Sequence, residues 1–500
     1  MFIWSFFLLK LKKIKNKVMS KFNTTIQKGK TKTVNLAGGE AYKQSKGLEL
    51  VSILLTSFVS DTFYRSSNDT LDRLKTLLSE VDPKFAAKAA IFARDKFGMR
   101  SITHALAGEL TSHSAGLEWA KNFYDKVVVR PDDMMEIMGY YLSNKTDVKK
   151  PKFPNSLKKG FAKAFDRFDS YQIGKYKSEN KEVKLVDVVN LVHPVPTSKN
   201  KEALSSLISG DLKNTKTWES MLSQAGQQAS NEEELGQLKA DAWKELISSK
   251  KIGYFGLLRN LRNIITQAPD VVNEACQLLT EERMIKSSRV LPFRFKTAYD
   301  EISNLPSSSV TRNVLVALDS ALGISVSNVP KFDGETLVVV DVSGSMSGKP
   351  SEIASLFAAI LAKSNNCDVM TFANYAQYVN YNPNDSVLTI RNSFKFTGGG
   401  TNLRDAFVKA NKAYENIIIL SDMQSFIGYD TPLAQLNSYK TKFNCNPHIF
   451  SFDLAGLGTL QIPQNGVYCL AGFSDKVFDV ISALKEDRNA LVNQIHSISL

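Results

Sequence analysis

Thr336-Leu-Val-Val-Val-Asp-Val-Ser-Gly-Ser345 runs from an apolar strand straight into a loop carrying one carboxylate and two hydroxyls. A continuous run of branched residues followed by such a loop is the pattern of a buried parallel strand that delivers ligands at its carboxyl end. Two later segments complete the reading. Gly398-Gly-Gly-Thr-Asn402 is a glycine turn that presents Thr401 just ahead of a helical pattern at Leu403, Phe407 and Ala410. Ile417-Ile-Ile-Leu420 is a second apolar strand, and it delivers Ser421 and Asp422. Hard oxygen donors gathered in this way suit a divalent cation, Mg²⁺, which keeps several waters when bound. The competing explanation is that Asp341 and the serines cap the helix that follows.

Strands alternate with helices through this part of the chain, at 336–342, 368–373, 417–421, 448–453 and 466–470, and a helical tail is expected near 475–496. The fold class expected for residues 334–500 is a doubly wound parallel sheet. Residues 45–330 instead carry helical spacing with few strand signals. Asp82-Pro83, followed by Phe85, Ala89, Phe92, Phe97 and Gly98, reads as a capped helix with a glycine stop. Residues 131–139 and 184–192 behave similarly, with breaks at 143–157, 193–201 and 210–216. Helix pairs over almost 300 residues suggest an irregular α-solenoid. The expected division is therefore 1–18, 19–333 and 334–500, in a multidomain α plus α/β chain.

With 500 residues the chain has room for two or three cores. Its +13 net charge is uneven. From Glu335 onward 12 Lys+Arg face 14 Asp+Glu, a balance of −2, whereas the preceding part holds 51 basic and 36 acidic residues, or +15. The basic excess thus lies outside the segment with the oxygen ligands, and nucleic acid is the expected partner. Cys276, Cys367, Cys445 and Cys469 are scattered without a Cys-x-x-Cys pair, which argues against zinc and fits a reducing compartment. Residues 1–9 are apolar but too short to span a bilayer, and the basic run to Lys17 follows. Residues 1–18 are expected to be a disordered, dispensable extension, with membrane-surface anchoring the lesser alternative.

No phosphate-loop or dinucleotide fingerprint is present, and the five histidines have no triad or metal spacing. The expectation is a binding protein rather than an enzyme. A nuclease using Asp341 and Asp422 is the catalytic alternative.

The constellation of Asp341, Ser343, Ser345, Thr401 and Asp422 resembles the metal-ion-dependent adhesion site of von Willebrand factor A-like domains. That resemblance implies hydroxyl contacts from Ser343, Ser345 and Thr401, with Asp341 and Asp422 acting directly or through water. The helical part resembles the TROVE module of the Ro autoantigen family, in its bacterial- or phage-type form. Asn35-Leu-Ala-Gly-Gly-Glu-Ala-Tyr42 is similar to the module's opening. Arg94-Asp-Lys-Phe-Gly-Met-Arg-Ser101, Lys175-Tyr-Lys177 with Leu185-Val-Asp-Val-Val-Asn-Leu-Val-His-Pro194, Gly256-Leu-Leu-Arg-Asn-Leu261 and Val290-Leu-Pro-Phe293 resemble its internal blocks, as does Gly472-Phe-Ser near the end. The resemblance implies a ring of HEAT-like helical repeats closed by the A-like domain around a basic channel. It implies binding of single-stranded 3′ ends of misfolded or damaged non-coding RNAs in that channel, and of Y-like RNAs on the outer surface, for RNA quality control. It also implies a cytoplasmic, monomeric protein without stable membrane association, and, from bacterial relatives, an exoribonuclease partner.

By the same resemblance Lys175 and His193 fall at RNA-contacting positions, while Glu179 stands where some relatives carry a basic residue. The residues themselves add Lys163, Arg167 and Lys177, interleaved with aromatics over 158–177, and Arg259 with Arg262 on neighbouring helical turns. Phe161, Phe165 and Phe168 follow core spacing, which leaves the lysines opposite them free to meet phosphate. An ordinary ion pair is the alternative for each arginine. A metal-dependent scaffold that captures a partner's acidic residue is the second reading for the whole chain.

Overall fold

The computed structural model describes residues 32–471 and 490–500, apart from 44, 57–66, 145–151, 178–181, 213–217, 251, 289, 291, 328, 330, 428–429, 456, 458 and 463–466. Residues 1–18, Glu179, Gly472-Phe-Ser and most of the expected helical tail lie outside the described residues; the tail's final part is a helix at Ala490–Ser497. Between Lys46 and Val326 the described chain is helical throughout. No helix among the described residues is long and apolar enough to cross a membrane.

The helices form where spacing and caps require them. Asp82 accepts from the Lys84 amide at 3.2 Å, Pro83 occupies the first position of the helix Pro83–Lys96, and Gly98 takes φ +66° just past its end. Phe161, Phe165 and Phe168 are all buried, as their spacing predicts. Each such burial contributes about 1.5–3 kcal/mol before entropy is charged. The block Arg94–Ser101 forms an internal anchor. Nε and Nη2 of Arg94 donate to both carboxylate oxygens of Asp133, and His104 Nε2 lies 3.0 Å from Oδ1. Oδ2 of the same carboxylate accepts from the amides of Val129 and Arg130 at 2.9 Å each, capping the helix Pro131–Ser143. Arg94, His104 and Asp133 are all buried.

The α/β part contains a six-stranded sheet in the order β5-β4-β3-β6-β7-β9, with β3 at Thr336–Asp341, β4 at Asp368–Phe372, β5 at Ala376–Tyr378, β6 at Asn416–Ser421, β7 at His448–Asp453 and β9 at Val467–Ala471. All neighbours are parallel except β5, which pairs antiparallel with β4. The expected all-parallel sheet therefore gains one short antiparallel edge strand, folded back on β4 after a brief turn. Both faces are covered. Val338 and Val340 join the core shared with the helical part, while Leu337 and Val339 join a second core under the helices Leu403–Lys409 and Pro432–Phe443. Burial on both faces is why these strands read as unbroken apolar runs.

The helical part meets the α/β part at both of its ends. Helix Ser309–Val326 packs on the helices Lys349–Asn365 and Val387–Asn392, and helix Lys46–Thr56 packs against β9. Ahead of that helix, β1 (Lys32–Val34) and β2 (Glu40–Lys43) form a hairpin that the sequence reading did not foresee. β2 pairs antiparallel with β8 (Thr459–Leu460), making a small three-stranded sheet. The structure thus joins residues 32–43 by strand pairing to the part beyond residue 334.

Candidate functional site

Asp341 ends β3 and Asp422 follows β6, its parallel neighbour, so both carboxylates emerge at the same sheet edge. Three loops are knitted there by their backbones. Gly344 N donates to Gly399 O at 3.1 Å, Gly398 N donates to Val342 O at 3.1 Å, and Phe426 N donates to Thr401 O at 3.0 Å. The glycines have separate reasons. Gly398 and Gly399 adopt φ +71° and +93°, and a Cβ on Gly400 would lie 2.1 Å from Ile427 Cδ1.

Asp341 is fully buried. Its Oδ1 accepts from Ser343 N at 2.9 Å and its Oδ2 from Ser421 Oγ at 2.6 Å. Ser343 Oγ and Ser345 Oγ are 3.2 Å apart, and the Ser345 hydroxyl lies near enough to the Asp422 carboxylate to favour its charged form. Asp422 Oδ1 accepts from Gln424 N at 3.2 Å, while Oδ2 is buried without a hydrogen-bond partner. Burial, then the charge of Asp422, pushes the Asp341 carboxyl up to about 7. Burial also raises Asp422. Two desolvated carboxylates that repel each other, with one orphaned oxygen and hydroxyls around it, fit a divalent cation. Among the described residues no group of three or more His, Cys, Asp or Glu gathers for a metal, so the hydroxyls are required to complete this donor set. Asp341, Ser343 and Ser345 are linked in sequence by hydrogen bonds, Asp422 is buried near them, and Thr401 is buried and tied in through its carbonyl.

The helix-capping alternative does not describe this loop. The next long helix starts at Lys349 with Gly348 as its cap, and no side chain caps it. Backbone strain marks the site as well. Met423, directly after Asp422, sits at φ +60°, an uncommon conformation for a residue with a Cβ. It is held there by Gln461 Nε2, which donates to Met423 O, and by its own amide bonding Ser421 Oγ.

The hairpin reaches this loop. Asn35 Nδ2 donates to Ser425 O at 2.7 Å, and Leu36 N donates to Gln424 Oε1 at 2.8 Å. Gln424 is fully buried, and its Nε2 donates to Asp422 O and to Thr459 Oγ1. One side chain therefore links the hairpin, β8 and the segment of a candidate ligand.

The basic residues divide into two groups. Lys175 Nζ lies 5.8 Å from the Tyr171 ring centroid and 5.7 Å from that of Tyr176, and Arg130, itself held by the Asp132 carboxylate at 2.9 and 2.6 Å, covers Tyr176 at 4.6 Å. Arg259 lies 5.9 Å from the Phe255 centroid, and Arg294 lies 5.6 Å from it. These are cations above exposed or half-exposed rings. His193 is exposed and caps the helix Leu185–Val192 in the left-handed region, at φ +48°. Arg262 is exposed, 4.0 Å from Glu301. The other group is engaged internally. Arg167 bonds the Asp125 carboxylate and the carbonyls of Asp125 and Val128, Lys163 pairs with Asp166 at 2.6 Å, and Lys177 donates to Leu212 O at 2.9 Å. The structure gives these three local partners. Arg130 and Arg294 were missed because each comes from a different helix than the ring it covers. The i, i+4 spacing of Phe255 and Arg259 was the available signal.

The chain matches the TROVE domain family over residues 15–233 and 209–321, more than half its length. It belongs to the TROVE family. The chain is also similar to telomerase protein component 1 of Mus musculus and of Rattus norvegicus, 21% identical over 338 and 339 residues respectively. Those matches cover 52% of this chain and only 13% of either relative. Among solved structures, the Ro (RSR) protein of Deinococcus radiodurans superposes with a TM-score of 0.59 at 16% identity, covering 88% of this chain and 99% of that one. That likeness establishes a shared fold across the TROVE region and the α/β part together.

Proposed function

We propose that this TROVE protein is an RNA-binding ring. In this reading its HEAT-like helices and its von Willebrand factor A-like domain enclose a basic channel for single-stranded 3′ ends of misfolded non-coding RNAs, and Y-like RNAs bind the outer surface. Family membership supports RNA binding in general. The observation that carries the finer reading is the placement of exposed cations beside exposed or half-exposed aromatic rings, at Lys175 with Tyr171 and Tyr176 and at Arg259 and Arg294 with Phe255. Cations can meet phosphate while the exposed part of the Tyr171 and Phe255 rings is offered to bases, a combination suited to single strands. Contact of the α/β part with both ends of the helical part supports closure. We assign the protein to the cytoplasm, as a monomer, with an exoribonuclease as a further proposed partner.

The test uses a hairpin RNA with a 3′ tail and the same RNA made blunt. The tailed RNA is expected to bind more tightly, and Lys175→Ala with Arg259→Ala is expected to flatten the log–log salt dependence by about 0.7 per lost phosphate contact. Equal binding of both RNAs, with an unchanged slope in the double variant, overturns the channel reading.

Asp422, Ser343, Ser345 and Thr401 would hold the proposed Mg²⁺, with Asp341 reaching it through water, because both Asp341 oxygens already accept hydrogen bonds. A bound cation would neutralise the facing carboxylates and offer an open position to an external oxygen ligand. That open position favours a second reading, the capture of a partner's acidic side chain. Asp422→Asn is expected to abolish Mn²⁺ binding measured by electron paramagnetic resonance while leaving RNA affinity intact. RNA degradation by the pure protein with Mg²⁺, lost in the same variant, would instead reveal a nuclease.

A further inference from the structure

Helix Tyr254–Gln267 buries Tyr254, Leu257, Leu258, Leu261 and Ile264 and turns Phe255, Arg259 and Arg262 outward. An outward phenylalanine between two arginines is not explained by packing. Phe255 is 40% exposed, and its ring lies within cation–π reach of Arg259 from its own helix and of Arg294 from the helix Pro292–Ser303. That second helix packs against Lys349–Asn365, which begins directly after the Asp341 loop. Lys349 opens that helix near enough to Arg294 for the like charge to add to burial in lowering its ammonium. Two arginines from two helices therefore flank one exposed ring, with Lys349 beside Arg294 as a third cation. The acids nearby are Glu301, 4.0 Å from Arg262, and Glu352, which faces Lys349.

The geometry points to a nucleobase-stacking site on Phe255, with the flanking phosphates of a single strand held by Arg259, Arg294 and Lys349. This rests on the RNA-binding reading and adds to it a named base subsite, at the seam between the helical part and the α/β part. An acidic peptide would use the same cations but has no need of an exposed ring. A π-face meets any base, so the site is tolerant of sequence.

The test compares a fluorescent decamer of uridine with an abasic ribose-phosphate decamer, by anisotropy on the full chain across salt concentrations. Phe255→Leu keeps the apolar stem of the side chain and removes the ring. It is expected to weaken the uridine decamer by roughly 5- to 150-fold, with the salt slope and the abasic decamer unaffected. Arg294→Gln with Lys349→Gln is expected to flatten the slope by about 0.7 per contact for both oligomers. Phe255→Tyr, which restores a ring, should recover the uridine affinity and so separates stacking from misfolding. Unchanged uridine binding in Phe255→Leu, with weakening in the arginine and lysine variant, overturns the stacking site and leaves a purely ionic surface. If wild-type protein binds neither decamer but binds an oligoglutamate, the RNA reading falls together with it.

Discussion

Replacing Asp133 with alanine is expected to cost about 3–5 kcal/mol of stability, because it strands a buried arginine. Arg94 and His104 would lose their shared partner, and the amides of Val129 and Arg130 would lose the cap of the helix Pro131–Ser143. Chemical denaturation would show the loss as a lowered midpoint. Asp133→Asn should recover part of it, since the amide oxygen still accepts from one donor. The same network sets an acid limit. Burial raises the Asp133 carboxyl, but the His104 hydrogen bond and the Arg94 charge outweigh it and hold the carboxyl far below the usual range. A carboxyl lower in the folded than in the unfolded state binds its proton less readily when folded. Its contribution is complete above pH of about 5, begins to be lost in the ordinary carboxylate range and goes on falling down to the depressed folded-state value. The midpoint should therefore fall below that pH in wild-type protein and respond less in Asp133→Ala.

Gly39→Ala is expected to undock the hairpin. A Cβ there would lie 2.1 Å from Ser425 O and 2.7 Å from Phe426 Cα, both backbone atoms that cannot step aside cheaply. Overpacking of this kind costs about 1–3 kcal/mol. Hydrogen exchange reads it directly, because the Leu36 amide is held by Gln424 and the Gly39 amide by Asn35 Oδ1. Their protection should drop by one to two orders of magnitude, as expected for about 1–3 kcal/mol. Gln424 would also lose a partner, so Mn²⁺ affinity at the proposed site should weaken with it. Unchanged protection would show that the hairpin is not pressed against the Asp422 loop.

These two variants lie in segments whose sequence was conspicuous but whose physical purpose was hidden. Asn35-Leu-Ala-Gly-Gly was legible as a family block. Its purpose, a clamp on Ser425 some 390 residues away, was not, because β8 is two residues long and leaves no pattern to detect. The strand loops were legible for the opposite reason: Asp341 and Asp422 come directly at the ends of apolar strands that pair in parallel, and Thr401 is marked by the glycine run before it. Phe161, Phe165 and Phe168 were assigned to the core by spacing alone. Arg167 shows where such reasoning stops. Its charge matched a phosphate contact, yet the fold brings Asp125 and two carbonyls to it. Pairings between helices, as in Arg130 over Tyr176, are set by tertiary packing and leave no local trace.

The most direct test of the central claim is photocrosslinking of a 3′-tailed RNA carrying 4-thiouridine in the tail, with adducts mapped by mass spectrometry. Adducts on peptides containing Phe255 and Tyr176, lost when the tail is removed, are the expected result. Adducts confined to surfaces lacking both rings, or indifferent to the tail, would contradict the account.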